Sequence, residues 1–123
     1  MRCVLIVDDD DSVRETLADI LDLEGFCTLQ AADVPSALAL LGQHVVDALV
    51  TDLSMPGEDG IALIRRARTI NRHLPAILLT GYAEEAAAVS TIAGGQFHVL
   101  RKPVEAQHLI NQISLLVSGR SET

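Results

Sequence analysis

Residues 48–57 read Ala48-Leu49-Val50-Thr51-Asp52-Leu53-Ser54-Met55-Pro56-Gly57. An apolar, partly β-branched run ends on one carboxylate, which is the pattern of a buried strand reaching its tip. Met55-Pro56-Gly57 cannot continue a central strand: proline offers no N–H to the ladder and glycine favours turns. Asp52 therefore sits at the C-terminal end of a strand. In open α/β sheets that edge is where ligands bind.

Working outward, the same grammar repeats. Cys3 to Val7 is a continuous apolar run that suits a strand covered on both faces. Asp8 to Asp11 follow, and Asp11 or Ser12 is placed to cap a helix carrying Val13, Leu17, Ile20, Leu21 and Leu23 at helical spacing, with Gly25 as its stop. Residues 27–31 form a weaker strand. Asp33-Val34-Pro35 opens a second helix, with Gly42 expected to end it. Gly60 to Ile70 is helical, with Ile61, Leu63, Ile64 and Ala67 inward and the arginines mostly outward. Ala76 to Thr80 is a fourth strand. An alanine-rich helix is predicted over 83–93, a fifth strand over Phe97 to Leu100, and a closing helix over Val104 to Val117. Five strands alternating with five helices across short loops imply right-handed crossovers and a doubly wound parallel sheet, an α/β fold. One domain over 1–118 is expected, with 119–123 a flexible tail or the start of a linker.

Composition narrows the function. Aromatics are only 2%, so the core must be aliphatic. The net charge of −8 argues against direct nucleic-acid binding, which calls for a basic patch. No apolar run approaches a membrane span and no signal peptide is read, so a cytoplasmic setting is expected. Cys3 and Cys27 read as small core residues in strands, with no metal spacing and no disulfide framework.

The strand ends carry the chemistry. Asp8 and Asp9 follow the first strand, Asp52 ends the third, Thr80 ends the fourth, and Lys102, the only lysine, follows the fifth. Parallel strands bring all five to one edge. Taken singly, each has an ordinary role as a cap, a strand residue or a solvated charge. Taken together they do not. Three crowded carboxylates repel by about 4 kcal/mol per pair at about 4 Å in an effective dielectric near 20. A hard divalent cation relieves that, and Mg²⁺ prefers such oxygen ligands. A carboxylate beside it is a plausible phosphoryl acceptor. Lys102 supplies a point charge and Thr80 a hydrogen-bond donor to a phosphoryl oxygen.

With these residues the sequence resembles the receiver domain of two-component response regulators, over residues 2 to about 117. The markers are Val7-Asp8-Asp9, Asp52-Leu53-Ser54-Met55-Pro56 with Gly60, Leu79-Thr80-Gly81 and Lys102-Pro103. The resemblance implies a flavodoxin-like fold with strand order 2-1-3-4-5. It implies that Asp52 accepts a phosphoryl group from a histidine kinase or phosphotransfer protein. It also implies that Asp8, Asp9, Asp52 and the Ser54 backbone carbonyl hold Mg²⁺, and that Thr80 and Lys102 sense the phosphoryl group. Ser54 and Tyr82 match positions that tune dephosphorylation. An output domain or effector, and a homodimer through the predicted 83–93 and 104–117 helices, are family-level expectations, and such a domain is not a turnover enzyme.

One position departs from the family pattern. Val99 stands three residues before the lysine, where Phe or Tyr is usual. Other readings are a pseudo-receiver serving as an interaction module, or a receiver excised from a hybrid histidine kinase. A flavin or nucleotide binder of the same fold would need a phosphate loop without four aspartates after the first strand. A phosphohydrolase would need a general acid/base and a capping insertion.

Overall fold

The computed structural model describes residues 2–81 and 97–121. Its elements are β1 (Cys3–Val7), α1 (Asp11–Leu23), β2 (Cys27–Ala31), α2 (Val34–Gln43), β3 (Ala48–Asp52), α3 (Gly60–Ile70), β4 (Ala76–Thr80), β5 (Phe97–Arg101) and a closing helix α4 (Ala106–Ser121). The five strands form one parallel sheet in the order β2-β1-β3-β4-β5. The helix predicted over 83–93 lies outside the described residues.

Alternation along the strands divides the core in two. Leu5, Val7, Leu49 and Leu78 face α2 and α3, where they meet Ala37, Leu41, Leu63, Ile64 and Ala67. Val4, Ile6, Val50, Ile77 and Leu79 face the other way, onto Leu17, Ala18 and Leu21 of α1 and Leu109, Ile113 and Leu116 of α4. The central strands β3 and β4 are buried at every position because both faces are covered. The sheet is therefore an aliphatic slab, with polar side chains gathered at its C-terminal edge.

Helix starts follow local chemistry. Asp10, rather than Asp11 or Ser12, caps α1: its carboxylate accepts from the backbone N–H groups of Ser12 and Val13. One residue earlier leaves Asp11 inside the first turn, where a negative charge suits the helix dipole. Asp33 caps α2 ahead of Pro35, and Asp59 caps α3 through Ala62 N. Gly25 adopts φ 91° after α1, a left-handed conformation that glycine takes without steric cost. Gly42 does not stop α2. The helix runs on to Gln43 and closes through His44 N–H to Leu40 carbonyl, because nothing in the chain forces a left-handed residue there. Helix α4 runs past Val117 to Ser121, with no proline to end it.

The cysteines correct the sequence reading. Cys3 and Cys27 lie opposite each other in the β1–β2 register, 4.4 Å apart at Cα, and are joined as a disulfide. Neighbouring parallel strands place register partners' side chains on one face. Both residues are half-buried at the N-terminal edge of the sheet, not in its core. Among the described residues, no helix is long and apolar enough to cross a membrane.

Candidate functional site

The C-terminal edge gathers the residues that the strand ends predicted. Strands β1, β3, β4 and β5 each bring a polar residue to this edge, either as their last residue or just after it. Asp8 follows β1 and continues its ladder, donating its N–H to the Ala31 carbonyl of β2 at 3.2 Å. Asp52 is the last residue of β3. Leu53 then donates to the Leu79 carbonyl, which locks the tip of β3 to β4. Thr80 ends β4 fully buried, and the Lys102 N–H donates to the Thr80 carbonyl at 2.8 Å. The Lys102–Pro103 peptide is cis.

Three carboxylates meet here. Oxygens of Asp8, Asp9 and Asp52 all lie within 4.8 Å of one another, with Asp8 and Asp52 buried and Asp9 exposed. Oxygens sharing one octahedral Mg²⁺ stand about 3 Å apart when adjacent and about 4 Å when opposite. The set fits a hard cation with small adjustments, and it contains no nitrogen or sulfur ligand that would favour a softer metal. Ser54 is exposed two residues beyond Asp52, in the connection between β3 and α3.

Lys102 spans the pair. Its ammonium lies 3.2 Å from Asp8 Oδ2 and 3.2 Å from Asp52 Oδ1. The other Asp8 oxygen accepts from the Asp10 N–H at 2.9 Å, so the most buried carboxylate is anchored at both ends. The electrostatics pull in opposite directions. Burial raises the Asp52 pKa and Asp8 adds to this, outweighing the Lys102 ammonium and the Ser54 backbone N–H, which lower it. Burial works against the Lys102 ammonium, yet the Asp52 and Asp8 carboxylates prevail and its pKa is raised. One cation is thus shared between two anions that would each prefer more positive charge.

Gly60 explains how β3 meets α3. Its backbone N–H donates to the Leu53 carbonyl at 2.9 Å, and a Cβ at this position would stand 2.3 Å from the Asp52 carbonyl oxygen. Only glycine lets the start of α3 sit on the tip of β3 this closely.

The strand alternation at β5 also holds. Val99 packs against the α2/α3 core, while the His98 ring bonds to Gln112 of α4 on the other face. The Phe97 side chain and Tyr82 lie outside the described residues. Sequence reasoning passed over Arg14, whose guanidinium reaches the carbonyl of Asp8. It has the look of one more outward helix arginine, and only the fold turns it toward the site.

The parallel five-stranded sheet with an acidic, lysine-bridged C-terminal edge defines a receiver-type signalling fold. The family described as the response regulator receiver domain matches residues 4–114, and the chain belongs to it. The C4-dicarboxylate transport transcriptional regulatory protein DctD of Rhizobium meliloti is 35% identical over 107 residues, covering 87% of this chain and 23% of DctD. The chain thus spans less than a quarter of that relative's length. An uncharacterised 14.6 kDa protein of Leptolyngbya boryana is 38% identical over 112 residues, covering 89% of this chain and 86% of that protein. The solved receiver domain of NtrX from Brucella abortus superposes with a TM-score of 0.85 at 31% identity, covering 94% of this chain and 98% of that one.

Proposed function

We propose that this receiver takes a phosphoryl group onto Asp52 from a phosphohistidine of a histidine kinase or phosphotransfer protein. The observation that carries the reading is the Lys102 ammonium held between Asp8 and Asp52 beside a third carboxylate, Asp9. Asp8, Asp9, Asp52 and the Ser54 carbonyl hold Mg²⁺. The ion, when bound, neutralises the carboxylates and the charge on the transferred phosphoryl oxygens.

The remaining steps belong to the chain. An ionised Asp52 oxygen attacks phosphorus, a P–O bond forms, and the P–N bond to the donor imidazole breaks. The leaving imidazole nitrogen keeps the electron pair and is protonated. Lys102, already at the acceptor oxygen, moves its charge onto the new phosphoryl group as Asp52 loses its own. Thr80, at the tip of the neighbouring strand, turns its hydroxyl to a phosphoryl oxygen. Both interactions exist only in the phosphorylated state, so they bias the equilibrium between two surface conformations. The Lys102 N–H to Thr80 carbonyl bond couples the two sensors through one backbone contact. With Val99 at the usual aromatic position, this switch runs through β4 and β5 backbone rather than a rotating ring. The product is stoichiometric, and the chain acts as a switch rather than a turnover enzyme.

The test is intact mass after incubation with Mg²⁺ and acetyl phosphate. One added phosphoryl group, lost in Asp52→Asn and with EDTA, is the expected result. Continuous acetyl phosphate consumption without a labelled protein would mark a hydrolase. Labelling that survives in Asp52→Asn would move the acceptor elsewhere.

A further inference from the structure

Arg14 is an odd residue to find where it is. It lies in the first turn of α1, and its side chain leans back toward the helix N-terminus, the direction helical side chains take. There the helix dipole is positive and disfavours a cation. The guanidinium is nonetheless nearly covered, with 12% of its side chain exposed. It makes three directed bonds. Nη1 donates to the Asp8 carbonyl at 2.8 Å, Nη2 to Asp11 Oδ1 at 2.7 Å, and Nε to Gln30 Oε1 at 3.2 Å.

These bonds tie β1, α1 and β2 together at one point. The bond to Asp8 goes to the main chain, so both Asp8 carboxylate oxygens stay with Lys102 and Asp10. The Asp8 carbonyl belongs to the peptide unit that joins Asp8 to Asp9. That unit is planar, so holding its oxygen fixes the plane and with it the direction in which Asp9 leaves the strand. The Asp8 N–H, on the other side, is held by the Ala31 carbonyl. Asp8 is thus clamped fore and aft, and the exposed Asp9, next along the chain, takes its place from this clamp.

We propose that Arg14 is a positioning residue for the cation site: through the Asp8 carbonyl it sets the relative placement of the Asp8 and Asp9 carboxylates. The inference rests on the cation reading above and extends it to a residue that touches neither ion nor phosphoryl group. Loss of a partner that orients a metal ligand costs about 10–100-fold in metal affinity.

The test titrates Mg²⁺ alone into the folded protein by isothermal calorimetry, with urea midpoints measured beside it. Arg14→Ala is expected to bind Mg²⁺ about 10-fold more weakly. Arg14→Lys, whose ammonium still reaches the Asp8 carbonyl but not Gln30 and Asp11 together, should recover part of that loss. Gln30→Ala, an exposed change that leaves the Asp8 bond, should weaken binding by less, about two- to three-fold, below the range of about 10–100-fold for a partner that bonds the ligand residue itself. It also serves if Arg14→Ala does not fold. A lowered urea midpoint with wild-type Mg²⁺ affinity in Arg14→Ala, or in both other variants, overturns the proposal and leaves Arg14 a mere structural brace. Asp9→Asn separates the two levels. If it loses Mg²⁺ while Arg14→Ala keeps it, only the role of Arg14 falls. If Asp9→Asn binds Mg²⁺ as the wild type does, the cation reading falls and this inference with it.

Discussion

Gly60→Ala puts one methyl group where α3 touches the tip of β3. The added Cβ meets the Asp52 carbonyl oxygen at 2.3 Å, Leu78 Cδ1 at 2.9 Å and the Asp52 carbonyl carbon at 3.1 Å. Leu78 is fully buried and cannot swing away, and the Asp52 peptide is held by the β3–β4 ladder. Relief to even 3.0 Å therefore demands about 0.7 Å of relative movement between α3 and the tip of β3, taken from overpacking geometry. Overpacking costs about 1–3 kcal/mol. The gain in helix propensity from Gly to Ala is at most about 1 kcal/mol and is smaller at the first helical position. The net expectation is a loss of about 1–2 kcal/mol, read as a lower urea midpoint at unchanged m-value. Phosphoryl transfer here is mostly positioning, and a misplacement near 1 Å costs about 100-fold. Acetyl phosphate labelling of Asp52 should slow by about 10- to 100-fold. Gly42→Ala is the internal control, since nothing lies within 4 Å of its Cβ and the helix continues through it. It should be neutral or stabilising by about 0.5–1 kcal/mol and should label normally. A Gly60→Ala protein with the wild-type midpoint and labelling rate would refute the claim that α3 and Asp52 are held in register by this contact.

Asp52→Asn tests the electrostatics. The folded Asp52 pKa is raised above 3.8, so the proton is held more tightly in the folded state; that stability is full below 3.8 and is lost as pH rises through the raised value. Metal-free Asp52→Asn should therefore gain on the wild type between pH 3.5 and pH 7, as read from paired urea midpoints, and saturating Mg²⁺ should reverse the gain. A gap that stays constant with pH would contradict the burial of a charged Asp52. Lys102→Met leaves Asp8 and Asp52 without their shared cation. Metal-free stability should drop by about 1–3 kcal/mol, discounted toward the low end by partial exposure, while Mg²⁺ binds more tightly and labelling slows. Wild-type Mg²⁺ affinity in a folded Lys102→Met protein would show that the ammonium and the metal do not compete. Reduction of the Cys3–Cys27 bond opens a cross-link of sequence separation 24, worth about 3.5 kcal/mol in chain entropy. Thiol reductant should lower the urea midpoint of the wild type and leave Cys3→Ser unaffected; equal midpoints with and without reductant would deny the bond a stabilising role.

The fold was legible because β1, β3 and β4 are short apolar runs ended by a polar residue or a turn. Gly60 to Ile70 emerges with the predicted ends, since Asp59 caps it and the apolar spacing is clear. Strand ends also foretold Asp8, Asp52, Thr80 and Lys102, because parallel topology alone brings them to one edge. Other features needed coordinates. The Cys3–Cys27 pair depends on the β1–β2 register, which a five-residue strand of mixed polarity such as β2 does not announce. The place of Arg14 depends on how α1 folds back over β1 and β2, which helical periodicity does not report. Gly42 misled as a stop, because glycine ends a helix only where the next turn of chain requires a left-handed residue.

Lys102 is the sole lysine, and it is wedged between two carboxylates with 28% of its side chain exposed. Apart from the α-amino group, an amine-directed reagent thus has one address on this chain, and it is the carboxylate cluster at the sheet's C-terminal edge. Acylation or reductive methylation becomes a footprint of occupancy: the rate at Lys102 reads whether the ammonium is paired, displaced by a cation or drawn onto a phosphoryl group. The same arithmetic warns that amine coupling to a sensor chip or dye would tend to silence the protein it is meant to report on.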